Sequence, residues 1–209
     1  MAPRGDFSLA GLAGAALRPM TEFGLLLADP IYWGLGVPRG DGRPVLVLPG
    51  LFAGDGYLQP LRDWLGRHGY SPVKSGIGRN PGWSEELITQ LAEIAVGEHR
   101  RSRQRVTIIG HSMGGLQGRS VAARLPQVVR HVIALGSPLS MAREPLPAAV
   151  RMTSIYSRED QIVRHPAALA RDRRAKNVKV PGSHIGLAFN PAVYRVLART
   201  LGAPDLESV

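Results

Sequence analysis

Apolar positions recur along this chain in two alternating rhythms. The unbroken runs Val45-Leu46-Val47-Leu48 and Val106-Thr107-Ile108-Ile109 predict strands covered on both faces, because a half-exposed strand would alternate apolar with polar positions. Between and around them the spacing turns helical. Leu58, Leu61, Trp64 and Leu65 mark one helix over residues 57–68 that stops at Gly69, and Leu87, Ile88, Leu91, Ile94 and Ala95 form the stripe of another that Ser84 can cap. Shorter strand candidates lie at residues 71–77, 132–135, 153–156 and 178–180, a helix at 116–125, and a last helix begins with Asn190 as its cap and Pro191 in its first turn. Strands alternating with helices in this way predict an α/β fold, with a mostly parallel central sheet covered by helices on both faces. Ahead of the first strand, residues 1–43 predict one or two short helices, the later one over residues 20–29.

The second buried run continues straight into Gly110-His111-Ser112-Met113-Gly114. This Gly-x-Ser-x-Gly sequence between a strand and a helix predicts a sharp turn that lifts the Ser112 hydroxyl above the sheet, where a base can reach it. Gly110 and Gly114 fall where a Cβ would collide with neighbouring backbone. The bare pattern arises by chance in roughly one chain in ten of this length; the strand before it and the helix after it give it meaning.

A serine hydroxyl needs a base, and six histidines are available. His68 sits at a helix C-terminus, His99 in a basic run, His131 just before a strand and His165 before a proline. His111 is adjacent to Ser112 and so points to the opposite face. His184, in a loop after a short strand and before the last helix, is the expected base. The supporting carboxylate falls between serine and histidine in this chain order. Glu159 and Asp160 share the exit loop of the strand at 153–156, and of the two Asp160 is favoured; Asp172, in a stretch that reads as basic and helical, is expected at the surface. The negative oxygen of an acyl-transfer intermediate needs preorganised donors. The Met113 amide supplies one, and the loop after the first strand the other, with Leu51 ahead of Phe52. The glycines of residues 76–82 do not form a dinucleotide fingerprint, since the third comes one position late and Pro81 and Trp83 crowd the helix start. That segment is expected to edge the cleft.

Together these residues resemble the small lidless bacterial lipases of the α/β-hydrolase superfamily, the class 2 lipase type. The likeness covers residues 44–201 and is most specific in Thr153-Ser154-Ile155-Tyr156-Ser157, Asp160-x-Ile162-Val163, Ala175-x-Asn177-Val178 and His184-Ile185-Gly186-Leu187. The resemblance implies a minimal α/β-hydrolase fold with Ser112 as nucleophile, Asp160 as acid, His184 as base, and the amides of Leu51 and Met113 as oxyanion donors. Two departures stand out: the family's His-Gly after the first core strand is Pro49-Gly50 here, and residues 1–43 extend beyond the minimal fold. The chain accordingly divides into an N-terminal helical arm, residues 1–43, packed on a catalytic domain, residues 44–209.

Only residues 137–150 separate the strand after the serine from the acid-bearing one, too few for a helical cap. An open cleft is expected, with Phe52, Leu139, Ile162 and Ile185 among its apolar walls, suited to an acyl chain. The predicted function is hydrolysis of carboxylic esters, as a lipase or esterase, through an acyl-serine intermediate, without metal or cofactor. Two alternatives remain: acyl transfer to another alcohol by the same residues, and a non-catalytic binding module.

Composition changes this picture little. The 209 residues carry no cysteine, which excludes disulfides and thiolate chemistry, and a net charge of +10. That charge permits transient contact with a lipid surface, whereas no aromatic interleaving or nucleic-acid module accompanies the basic runs, so nucleic acid is not an expected partner. The apolar stretch 9–17 has the outline of an export signal, but Asp6 lies in its would-be basic region and Arg18-Pro19 closes it. A retained arm and a cytoplasmic protein are expected, with secretion as the alternative.

Overall fold

The computed structural model describes residues 9–203 apart from Arg173, with side chains from Leu17 onward. Six strands form one sheet: β1 Pro44–Leu48, β2 Ser71–Lys74, β3 Val106–His111, β4 Val129–Leu135, β5 Arg151–Tyr156 and β6 Lys176–Lys179. Their order is β2-β1-β3-β4-β5-β6, and every neighbouring pair is parallel. The helices are α1 Leu9–Ala28, α2 Pro30–Trp33, α3 Gln59–Arg67, α4 Glu85–Ser102, α5 Met113–Arg124, α6 His165–Ala168 and α7 Pro191–Leu201. This is a minimal α/β-hydrolase architecture.

The unbroken apolar runs are explained by coverage on both faces. In β1, Val45 and Val47 join one core cluster, with Trp64 of α3, Leu26 of α1, and Tyr194 and Leu197 of α7. Leu46 and Leu48 point the other way, into a second cluster with Ile88 and Leu91 of α4 and Val121 of α5. The predicted caps form: the Ser84 hydroxyl accepts from the Leu87 amide at 3.2 Å and the Asn190 side chain from the Ala192 amide at 2.8 Å.

Several elements differ from expectation. The strand predicted over 71–77 ends at Lys74 because the Ser75 and Gly76 amides turn aside to the Asp55 carboxylate, at 3.2 and 2.9 Å. The helix over 57–68 is split into a 3-10 turn, Asp55–Leu58, and α3. β4 begins early enough to enclose His131, whose Nε2 lies 2.9 Å from the Thr153 hydroxyl; burial pushes its pKa down to about 3. The last strand is shifted to Lys176–Lys179. Asp172 is not on a helix but in the turn into β6, where it accepts from Arg119 of α5 at 2.8 Å. In place of short N-terminal helices, α1 runs for 20 residues through Pro19.

Both borders of the sheet are poor templates for a further strand. β2 carries Pro72 and Lys74, and β6 carries Lys176 and Lys179. With all strands parallel, their C-terminal ends and the loops that follow gather along one edge, where sites in such folds form. Between β4 and β5 the described chain holds only a short 3-10 turn, Leu139–Met141, so no helical cap covers that edge.

Candidate active site

Ser112 occupies the junction of β3 and α5 with φ 52° and ψ −123°, a conformation that a side chain adopts only under compulsion. The compulsion is steric. A Cβ on Gly110 would lie 2.3 Å from the Gly114 carbonyl carbon, and one on Gly114 would lie 2.4 Å from the Leu48 oxygen. The turn closes this tightly only because both positions are glycine. The Ser112 amide donates to the Leu135 carbonyl at 2.8 Å, tying the turn to β4.

His184, in the loop between β6 and α7, brings its Nε2 to 3.0 Å from the Ser112 Oγ. Its Nδ1 lies 2.7 Å from Asp160 Oδ2. The other oxygen of Asp160 accepts from the amides of Ile162 and Val163, at 2.9 and 2.8 Å, so a carboxylate that is 4 % exposed has its lone pairs engaged. This arrangement can carry a proton from the hydroxyl to an imidazole held in one tautomer by its carboxylate. Glu159, the alternative acid, points away to Arg18 at 2.5 Å.

The loop after β1 holds Leu51 and Phe52, the two donors the sequence offers there. The Phe52 amide is already committed to the Asn80 carbonyl at 2.9 Å, which sets aside the second of that loop's two candidate donors; Met113 opens α5 directly after Ser112. Phe52 itself sits at φ 62° with its ring largely exposed beneath the Arg79 guanidinium, 5.2 Å from the ring centroid. Ile162 and Ile185 are exposed at the rim. Leu139 departs from expectation: it is 6 % exposed and packs into the core cluster with Leu48 and Ala134, so it offers no open wall. Its apolarity in a loop beside the site looked the same in sequence whether it faced the cleft or the core. Among the described residues no group of histidine and acidic side chains is placed to hold a metal ion, and no helix is long and apolar enough to cross a membrane.

Sequence reasoning passed over three groups that build this site. His111 turns away from Ser112, as the alternation of strand side chains requires, but its Nε2–H donates to the His184 carbonyl at 2.9 Å. Burial pushes its pKa down to about 4, so the ring is neutral near pH 7. Tyr57 donates its hydroxyl to the Ile185 carbonyl at 2.9 Å. Asn80, fully buried, donates to Pro49 O at 2.8 Å and pairs with Gln117 of α5, locking the loop after β1 to the helix that follows Ser112. A histidine beside the nucleophile and an asparagine in a glycine-rich loop were visible signals. Their partners lie up to 73 positions away, and no spacing rule connects them.

With this geometry in place, similarities to known proteins acquire structural meaning. A family model described as the PGAP1-like alpha/beta domain matches residues 83–187, the stretch that holds Ser112, Asp160 and His184. A triacylglycerol lipase of Burkholderia plantarii is 32% identical over 140 residues, 61% of this chain and 36% of the relative. One from Pseudomonas fragi is 30% identical over 103 residues, 46% of this chain and 34% of that one. The chain thus spans about a third of the length of the curated relatives it matches. Among solved structures, a monoacylglycerol lipase of Paleococcus ferrophilus superposes with a TM-score of 0.61 at 11% identity, covering 79% of this chain and 96% of that one. A carboxylesterase of Mesorhizobium loti gives 0.61 at 15%, covering 79% and 91%; at such identities the likeness concerns the fold. With half of its length under one family model, the chain belongs to the family of the PGAP1-like alpha/beta domain, and its fold is that of the α/β-hydrolases.

Proposed function

We propose that the protein is a serine hydrolase that cleaves carboxylic esters, of the lipase or esterase kind. The single observation that carries this reading is the unbroken line from Ser112 Oγ to His184 Nε2, 3.0 Å, and from His184 Nδ1 to Asp160 Oδ2, 2.7 Å. In the acylation step the Ser112 oxygen attacks the ester carbonyl while His184 takes its proton. The negative oxygen is held by the amides of Leu51 and Met113, each worth roughly 3 kcal/mol of transition-state stabilisation. The intermediate collapses as His184 returns the proton to the departing alkoxide. Water, deprotonated in turn by His184, then releases the acid and restores Ser112. Asp160 stays ionised throughout and stabilises the imidazolium.

An acyl substrate is supported by the apolar part of a groove of about 360 Å³, where Trp83 and Met141 meet Leu116, one helical turn beyond Ser112; Glu85, Ser120, Arg143 and Glu144 form its polar wall. Transient contact with a lipid surface is supported by exposed apolar side chains on the arm, Leu17, Met20, Leu25 and Trp33. The test uses activated esters of graded chain length. Turnover that disappears in Ser112→Ala, with a preference for medium over acetyl chains, supports the reading. Turnover retained by Ser112→Ala refutes the acyl-serine mechanism, and a sharp preference for the shortest esters removes the lipid character.

A further inference from the structure

The loop bearing His184 is gripped from the far end of the chain. Glu22, on α1, accepts the Ser183 amide at 2.8 Å on one carboxylate oxygen and the Ser183 hydroxyl at 2.5 Å on the other. That hydroxyl in turn accepts the Gly186 amide at 3.1 Å. The approach is so close that a Cβ on Gly186 would lie 1.6 Å from the Glu22 carboxylate. Among the described residues Glu22 is held by hydrogen bonds from this loop and not by a cationic side chain. Helix α1 is itself anchored around this contact. Phe23 meets Phe189 edge to face at 5.3 Å, Leu26 is fully buried, and Arg18 reaches Glu159, the neighbour of Asp160, at 2.5 Å.

We infer that Glu22 is a positioning residue for His184, and that α1 is a part of the catalytic apparatus. The inference rests on the reading of the site as an ester hydrolase. The His111 and Tyr57 bonds fix the carbonyls of residues 184 and 185, which limits where the loop can slide, while Glu22 fixes the donors of residue 183, which sets the direction from which the imidazole enters. Hydrogen bonds to a charged acceptor are stronger than neutral ones, and a displacement of about 1 Å at a reacting group costs on the order of 100-fold in rate.

The experiment compares the wild type with Glu22→Ala, Glu22→Gln, Ser183→Ala and the double variant Glu22→Ala/Ser183→Ala, by steady-state kinetics on a soluble activated ester and by proton NMR of the His184–Asp160 hydrogen bond. Glu22→Ala is expected to lower kcat on the order of 10- to 100-fold with KM within about twofold. Glu22→Gln keeps an acceptor for the Ser183 amide but offers an NH2 to a hydroxyl that needs an acceptor, so it falls between. Ser183→Ala removes the hydroxyl bond but leaves the Ser183 amide on Glu22, so it is expected to lose less than Glu22→Ala, and the double variant little more than Glu22→Ala alone, because the hydroxyl contact is already gone there. The downfield proton of the His184–Asp160 bond should broaden in Glu22→Ala while thermal melting stays cooperative. A Glu22→Ala protein with wild-type kcat, or additive losses in the double variant, overturns the inference. If the wild type turns over no ester, that failure belongs to the proposed function, and the NMR signal still decides about Glu22: an unchanged resonance in Glu22→Ala overturns its positioning role.

Discussion

Ser112 and His184, the proposed nucleophile and base, are placed by opposite strategies. Ser112 is fixed by what immediately surrounds it in sequence: a buried strand, two glycines that let backbone touch backbone, and a helix that starts at once. His184 sits in a loop with no regular element to hold it, and each residue from 183 to 185 is tied by a side chain from elsewhere, namely Glu22, His111 and Tyr57. The first strategy stores strain locally; the second spreads the work over contacts that close only in the complete fold. The nucleophile should therefore respond to changes of volume and the base to changes of hydrogen bonding.

The largest expected effect separates the two without disturbing the fold. Asp160→Asn keeps an oxygen for the Ile162 and Val163 amides but turns an NH2 toward His184 Nδ1, forcing the wrong tautomer. Ester kcat is expected to fall on the order of 10,000-fold with little change in melting temperature; a loss under tenfold would show that the imidazole does not depend on its carboxylate.

On the nucleophile's side, Gly110→Ala forces a Cβ against Gly114 backbone that cannot move aside. A loss of roughly 3 kcal/mol or more in denaturant unfolding is expected, and a neutral result would mean that the turn is not sterically closed.

Acid probes the base's supports. His111 is held near a pKa of about 4, below the ordinary 6.5, by burial first and then by the neighbouring His184. Below pH 6.5 the unfolded chain binds a proton there that the folded one refuses. Stability is therefore complete above that pH and is lost as pH falls toward 4, by roughly 3 kcal/mol from this group. Buried His131 acts in the same direction. Urea unfolding at pH 7.5 and 5 measures the slope, and His111→Phe should flatten it; an unchanged slope would assign it to His131 or to other groups.

The smallest effect tests the hinge between the two strategies. Asn80→Ala leaves buried Gln117 short of partners and frees the loop that presents Leu51. A destabilisation of about 1–3 kcal/mol is expected, with kcat reduced and KM less affected. Unchanged kcat would show that the Leu51 loop is positioned by Pro49 and Gly50 alone.

The same contrast explains what the sequence could disclose. Buried runs, capping residues and the Gly-x-Ser-x-Gly turn are local signals, so the six strands, the starts of α4 and α7 and the placing of Ser112 were all readable before any coordinates. His184 and Asp160 were reached by chain order and elimination, and the structure brings both within hydrogen-bonding distance of their expected neighbours. Glu22 stood in what looked like an appendage, and His111 was set aside by a correct rule about strand alternation that could not reveal the carbonyl its ring would find. Leu139 was misjudged because an apolar loop residue carries no mark of which way it turns.

The charged and proline-bearing borders of the sheet have a consequence for the molecule among its neighbours. A parallel sheet left open at both margins invites copies of itself to stack side by side into fibrils. Here any such ladder meets a missing amide at Pro72 on one margin and, on the other, a lysine on each face of the strand, Lys176 and Lys179. Both margins thus disfavour growth along the hydrogen-bonding direction, the way a sheet of this kind would otherwise extend.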